Sequence, residues 1–412
     1  MTAAKKRVVV TGLGLTSPIG SSLDAVSQAL QRGEHGIRVM PEWSSVKDLQ
    51  TRLGAPAVGA DLDRFSRRQT RTMGRVSLLA AFATDDAIRD AGLSREQVSS
   101  GRTGLSYGST HGSTGAMEQF CKVLFSSGGL SGLSGSSYLK MMSHTCLANL
   151  AQCFEIRGRI VPTISACTSA SQGIGYGYEA IRDGYQDVML CGGAEELHVL
   201  HAGVFDIMFA TSTRFNDAPE RSPRPFDRAR DGLVVGEGAG TLVLEELEHA
   251  RRRGAHIHAE IIGYGTNCDG THVTSPSAEG MAGAMLLALE DAKLESSKIE
   301  YVNAHGTATE LGDIAESQAT LRVLGDKTPF SSTKGFTGHT LGACGAIEAI
   351  FAIAMIRDGF LAPSRNLEAL DERCAKLDYV LNEARRATPR IVMSNNFAFG
   401  GINTSLILER HA

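Results

Sequence analysis

The run Ile164-Ser165-Ala166-Cys167-Thr168-Ser169-Ala170-Ser171-Gln172-Gly173-Ile174-Gly175-Tyr176-Gly177-Tyr178-Glu179-Ala180-Ile181-Arg182-Asp183-Gly184 starts where an apolar segment (Ile160, Val161, Ile164) gives way abruptly to small residues. It reads as a strand that ends in a tight turn and opens a helix. A thiol in such a turn has a helix start behind it, where the dipole and free N–H groups favour thiolate. A second stretch has the same form. His339 is followed by Gly342-Ala343-Cys344-Gly345-Ala346-Ile347-Glu348-Ala349 and later by Ile356-Arg357-Asp358-Gly359. Each copy reads as a strand end, a reactive polar residue, a Gly/Ala-rich helix and the same Ile-Arg-Asp-Gly stop. The repeat implies a duplicated α/β unit, residues 1–250 and 251–412, with the two reactive turns converging.

The rest of the chain fits alternating strands and helices. Strand-like runs fall at Arg7 to Thr11, Val188 to Cys191, Gly240 to Leu244, His258 to Ile262, Tyr301 to Asn303, Ile391 to Met393 and Ser405 to Leu408, with a helix near Leu23 to Gln31. Their near-continuous Val/Ile/Leu content argues for buried sheets covered by helices, an α/β fold. Gly101 to Gly135 and Asn216 to Asp231 read as long functional loops.

The 412 residues carry a net charge of −4 with both signs mixed, which gives no electrostatic case for nucleic acid. No run of about eighteen apolar residues occurs, so no membrane span is expected. The eight cysteines, at 121, 146, 153, 167, 191, 268, 344 and 374, form no CxxC pair and no metal-ligand spacing. With no export signal they read as reduced thiols, and the expected location is the cytoplasm.

Three further segments can carry chemistry. Asn303-Ala304-His305-Gly306-Thr307-Ala308-Thr309 leads to Asp313 and Glu316, which share a helix face. Lys334-Gly335-Phe336-Thr337-Gly338-His339 precedes the second helix. Asn396-Phe397-Ala398-Phe399-Gly400-Gly401 is a glycine turn between strands. No phosphate-cradling glycine motif opens a helix. One thiol with two imidazoles is the equipment of acyl transfer through a thioester. Without a carboxylate orienter in the motif, the histidines look less like a protease pair than like donors to a developing oxyanion.

These four motifs together resemble the Cys-His-His set of the β-ketoacyl-acyl carrier protein synthases, elongating types I and II. The likeness runs from Val8-Val9-Val10-Thr11-Gly12-Leu13-Gly14 to Asn403 and includes Cys191-Gly192-Gly193-Ala194-Glu195 and Arg230 to Gly240. The resemblance implies a thiolase fold, five-layered α-β-α-β-α from two similar halves, as a homodimer. It implies that Cys167 takes an acyl chain from acyl carrier protein, with the Cys167 and Phe399 amides as oxyanion hole. His305 and His339 would hold a malonyl thioester and stabilise the enolate left by decarboxylation. Which histidine also acts as base toward a water stays open.

By the same resemblance Lys334, Asp313 and Glu316 orient the site electrostatically, and Thr307 and Thr309 bind pantetheine. Phe399 gates the acyl pocket, with Phe205, Thr274, Ala398 and Gly400 around it. Arg68 and Arg71 would dock an acidic carrier protein. Asn303, Ala304, Glu348, Ser394 and Asn395 match positions that hold a monovalent cation in relatives. No cofactor is required, because phosphopantetheine arrives on the carrier protein.

Three positions depart from the family pattern. His111, in the glycine-rich loop Tyr107 to Gly112 that the resemblance sets beside the acyl pocket of the dimer mate, stands where Gly or an aliphatic residue is usual, and suggests a preference for short or functionalised chains. Ala398 replaces a Gly and suggests a stiffer gate. Ile402 stands where Thr is common and removes a hydroxyl from the gate loop. Phe205 to Thr213 leans toward type I and Thr274-Ser275-Pro276 toward type II. A non-catalytic chain-length factor would lose the nucleophile, which is retained here, though a heterodimer with such a partner stays open. A thiolase would carry a second cysteine in the Asn396 to Asn403 turn, and a starter enzyme would carry Asn at His339.

Overall fold

The structure is a computed structural model and describes residues 5–411. The elements that position the site are, in chain order, β1 (Val8–Thr16), α1 (Arg75–Asp90), β2 (Thr103–Gly108), α2 (Thr114–Ser127), β3 (Ile160–Thr163), α3 (Ser169–Arg182), β4 (Val188–Glu195), α4 (Val199–Ile207) and β5 (Gly238–Glu246) in the first half. The second half holds β6 (Ala259–Cys268), α5 (Ala278–Ala292), β7 (Tyr301–Asn303), α6 (Glu310–Leu324), β8 (Pro329–Ser331), α7 (Cys344–Asp358), β9 (Ile391–Phe397) and β10 (Ile402–Glu409).

The strand order proves the duplication. The first half runs β3-β2-β4-β5-β1 and the second β8-β7-β9-β10-β6, the same permutation. Directions match too: β2 is parallel to β3 and β4, and β5 is antiparallel to β4 and β1. In the second half β7 is parallel to β8 and β9, and β10 is antiparallel to β9 and β6. The halves share one hydrogen-bonded sheet, because Val8, Val9 and Val10 of β1 pair antiparallel with Ile261, Glu260 and Ala259 of β6. A short strand, Asp378–Tyr379, extends the far edge beyond β8.

Layering follows from which helix faces are apolar. Helices α3 and α7 pack on each other and on strands of both halves, forming the central layer, while α1 covers the first sheet from outside and α5 with α6 covers the second. Every residue of α7 from Cys344 to Ile356 is buried. A helix without a polar face is stable only inside such a sandwich. The small residues let it approach: a Cβ on Gly345 would stand 2.6 Å from the Ser171 nitrogen of α3. Both Ile-Arg-Asp-Gly runs stop their helices, with Gly184 and Gly359 at φ +83° and +71°.

The segment Gly101 to Gly135 is not a loop. It contains β2, an interior strand, and α2. Its Gly and Ser residues are small because neighbours press on both faces: a Cβ at Gly108 would lie 1.9 Å from the Thr163 carbonyl oxygen. Tertiary crowding, not turn chemistry, explains that composition. The second expected loop, Asn216 to Asp231, is irregular apart from the single turn Pro219–Arg221 and leads inward to Phe226 and Arg230. Among the described residues no helix is long and apolar enough to cross a membrane.

Candidate active site

Cys167 sits in a single 3₁₀ turn, Ala166–Thr168, at the N-terminus of α3. Ala166 before it is left-handed (φ +49°), a strain of order 1 kcal/mol that local bonds must hold. They are present: Ser165 N donates to Ser169 Oγ (3.0 Å), Ser169 Oγ donates to the Ala166 carbonyl (2.8 Å), and Thr168 Oγ1 donates to the Ser165 carbonyl (2.7 Å). Small hydroxylic residues around the thiol therefore lock a turn that presents Sγ. The amides of Cys167 and Phe399 have no hydrogen-bond acceptor among the described residues.

The two histidines arrive from the second half. His339 follows a one-turn helix, Lys334–Thr337, rather than the strand end its repeat copy suggested. Its backbone is clamped by strand-like bonds to the first half: His339 N donates to Val234 O (2.7 Å), and Gly236 N donates to His339 O (2.8 Å). Its Nε2 lies 2.9 Å from Cys167 Sγ. His305 ends β7. The His305 and Gly306 amides donate to the two oxygens of Glu316 at 2.7 and 2.6 Å. The imidazole rings stand edge to face with centroids 5.1 Å apart.

Lys334 lies behind them, 1% exposed, and its ammonium is bonded to the Glu348 carboxylate. The direct partner of Lys334 is Glu348, which α7 supplies and which was not expected, while Asp313 and Glu316 act on Lys334 through space as expected. Asp313 instead accepts from Phe226 N (2.6 Å) and Ala308 N (3.1 Å) and faces Arg230 at 3.6 Å. Asp313 and Glu316 thus hold the backbone that carries His305.

Burial decides the charge state. It pushes the Cys167 thiol up to about 12, with the Lys334 ammonium only partly opposing it. Desolvation thus opposes the thiolate that the helix start favours. Burial, reinforced by Lys334, holds both His305 and His339 well below the ordinary imidazole range. Burial disfavours the Lys334 ammonium, but Glu348, helped by Cys344 and Glu316, outweighs it and keeps Lys334 charged. At rest the centre is a neutral thiol, two neutral imidazoles and one ammonium.

A cavity of about 530 Å³ opens onto this centre. Cys167, His305 and His339 line it, with Thr307, Thr309, Phe205, Thr274, Ala398, Phe399, Asp313 and Glu316. Phe205 on α4 meets Phe399 at 5.9 Å between centroids. Thr307 and Thr309 share a hydroxyl–hydroxyl bond of 2.9 Å. Arg230 also lines the cavity and donates to the Thr309 and Glu310 carbonyls at 3.2 and 2.7 Å. Its place in the Arg230 to Gly240 motif was legible, its role was not.

Other expected residues lie elsewhere. His111 is outside the cavity; its ring stacks on His201 of α4 at 5.4 Å, because α4 packs beside the loop that carries it. Gly400 is exposed and outside the cavity, and its amide donates to the Val273 carbonyl at 2.7 Å. Ala398 does not have positive φ, so its Cβ fits the observed backbone without strain; the turn's left-handed residues are Gly400 and Gly401 (φ +92° and +74°). The Ile402 carbonyl accepts from Ala398 N at 2.8 Å, so the backbone supplies the loop's closing bond. Arg68 and Arg71 are exposed on and beside the short helix Arg67–Thr70 and do not reach the cavity.

The cation set is partly assembled. Both amide atoms of Asn395 are buried without a partner among the described residues, and Asn303 Nδ2 donates weakly to Ser394 Oγ at 3.4 Å. Glu348 is committed elsewhere, to Lys334 and to Asn396 Nδ2 at 2.7 Å.

The description "Beta-ketoacyl synthase, N-terminal domain" matches residues 5–250, and "Beta-ketoacyl synthase, C-terminal domain" matches residues 258–368. The chain belongs to the β-ketoacyl synthase family. This β-ketoacyl synthase is 40% identical over 407 residues to 3-oxoacyl-[acyl-carrier-protein] synthase 1 of Haemophilus influenzae, covering 98% of the chain and 99% of that relative. It superposes on a β-ketoacyl synthase from Burkholderia phymatum with TM-score 0.96 and 53% identity, covering 99% and 100% of the two chains. It also superposes on the ishigamide ketosynthase/chain length factor with TM-score 0.92 and 32% identity, over 99% and 100%. The synthase has the thiolase fold of these neighbours.

Proposed function

We propose that this synthase elongates an acyl chain by decarboxylative condensation with malonyl-acyl carrier protein, giving 3-oxoacyl-acyl carrier protein. The observation that carries it is Cys167 Sγ at 2.9 Å from His339 Nε2, with His305 beside them at the floor of an open cavity. Sγ attacks the acyl thioester carbonyl. The new C–S bond forms as the bond to pantetheine sulfur breaks, and the thiol proton passes through His339 to the leaving sulfur. The Cys167 and Phe399 amides hold the oxyanion.

Malonyl-acyl carrier protein then follows. His305 and His339, neutral and therefore able to donate one N–H each, hold its thioester oxygen. The bond to carboxylate breaks, carbon dioxide leaves, and the electron pair rests on the enolate. That carbon attacks the acyl group, and Sγ leaves and recovers a proton from solvent. Lys334 keeps positive charge behind the thiol throughout.

No cofactor is needed, because pantetheine arrives on the carrier protein; Thr307 and Thr309 offer hydroxyls to it. The orphaned Asn395 amide, with Asn303, Ser394 and the Ala304 carbonyl, fits a monovalent cation. Such an ion would add fixed positive charge and no chemical step. Exposed Arg68 and Arg71 suit an acidic carrier protein. The reaction belongs in the cytoplasm, where thiols stay reduced. We favour a homodimer through β3: it is the outer edge of its sheet, with Ile160 and the following Ile164 exposed.

Incubation with malonyl carrier protein and a panel of acyl carrier proteins, read by intact mass, tests the proposal. The expected result is acylation at Cys167, carbon dioxide release and a product two carbons longer. Neither acylation nor carbon dioxide from any acyl donor defeats it.

A further inference from the structure

Cys167, His305 and His339 each bring one donor atom to the cavity end of the site, and the three atoms lie within 4.8 Å of one another. One thiolate sulfur and two neutral imidazole nitrogens form a donor set that suits Zn²⁺. We propose that a thiophilic divalent cation of the zinc type binds across Cys167, His305 and His339 when no acyl chain or pantetheine occupies the cavity, and holds the synthase reversibly inactive.

The geometry needs little movement. With Zn–S of about 2.3 Å and Zn–N of about 2.0 Å, tetrahedral donors stand roughly 3.5 Å apart. The 2.9 Å contact between Sγ and His339 Nε2 opens slightly, and the His305 ring swings inward. The fourth position faces the cavity and takes a water. Proton balance is simple: the S–H bond breaks, an S–Zn bond forms, and one proton leaves to solvent. Both imidazoles already carry a free lone pair, and no electron is transferred.

The surroundings make this a releasable ion rather than a resident one. The Nδ1 atoms of His305 and His339 have no partner among the described residues, whereas permanent zinc histidines are braced through that nitrogen. The Lys334 ammonium, buried behind the thiol, repels a cation. An acyl group on Sγ removes the sulfur donor, so acyl-enzyme and metal exclude each other.

The test uses the whole chelator-treated protein with no substrate, so its outcome is independent of condensation activity. Co²⁺ alone is the probe. One ion per protomer should bind with an intense thiolate-to-cobalt charge-transfer absorption, and Zn²⁺ should displace it. Zn²⁺ at about ten times its Kd should slow iodoacetamide alkylation of Cys167 about tenfold, and a chelator should restore it. Cys167→Ser should lose the band, and His305→Ala should weaken binding at least tenfold, each with wild-type circular dichroism. Cys268→Ser, which removes an exposed thiol outside the site, should change nothing. A band that survives Cys167→Ser, or no charge-transfer band at millimolar Co²⁺, overturns the proposal.

Discussion

Cys167 is a thiol whose reactivity is set by opposing neighbours. Burial raises it to about 12 while the Lys334 ammonium pulls it down. Its alkylation should therefore rise roughly tenfold per pH unit from pH 6 to 9 without a plateau, followed by the mass of the Cys167 peptide. Lys334→Met should slow that reaction at every pH. The same substitution leaves Glu348 buried and unpaired, at a cost of about 3–5 kcal/mol in a denaturant melt. Adding Glu348→Gln should recover most of the stability but not the alkylation rate, which separates the two roles of Lys334. The nucleophile and both histidines were legible because each stands in a motif of small residues. The partner of Lys334 was not, because Glu348 lies on a helix whose other buried residues read only as core.

At the level of elements, the glycine turn Ala398 to Gly401 joins β9 to β10 and is pinned to the Asp269 to Val273 segment. Asp269 N donates to Gly401 O at 2.9 Å, and Gly400 N donates to Val273 O at 2.7 Å. The departure at Ala398 looked important in sequence because local φ cannot be read from a residue name. With φ not positive there, Ala398→Gly should leave the acylation rate within about twofold. Gly401→Ala is the damaging change: φ is +74°, and its Cβ would stand 2.3 Å from Asp269 Oδ1. Strain of about 1–2 kcal/mol in this turn corresponds to roughly a tenfold loss of acylation rate. A single-turnover acylation assay of both variants distinguishes them. The misread stretch Gly101 to Gly135 fails for a related reason: an interior strand squeezed on both faces takes glycine and serine, the same residues that mark loops.

For the whole molecule, duplication was legible from one repeated helix and its stop, whereas the order of the strands within each half came only from the structure. The cost of the buried centre is also global. His201, His305 and His339 are held below the ordinary imidazole value of 6.5, His201 at about 4. Between pH 6.5 and those values each of these histidines binds its proton only in the unfolded chain, so its contribution to stability falls as pH falls, by about 1.4 kcal/mol per pH unit. Buried Glu195 and Glu316, pushed up to about 8, and Asp313, pushed up to about 6, work in the opposite direction over the same range. The melting temperature of His201→Asn, remote from the thiol, should therefore rise relative to wild type between pH 7 and pH 5; a difference that does not change with pH would show that His201 does not contribute to the acid sensitivity.

The seam at Val8 to Val10 against Ala259 to Ile261 has an inheritance consequence. Each half keeps one innermost helix that can stay dry only against the other, and each holds part of the reaction: the thiol in the first, both imidazoles in the second. Once the copies had divided the chemistry in this way, neither could drift free, be lost or be exchanged alone. A chain cut near Gly254 should yield two pieces that are insoluble apart and recover both shape and thiol reactivity only when produced together.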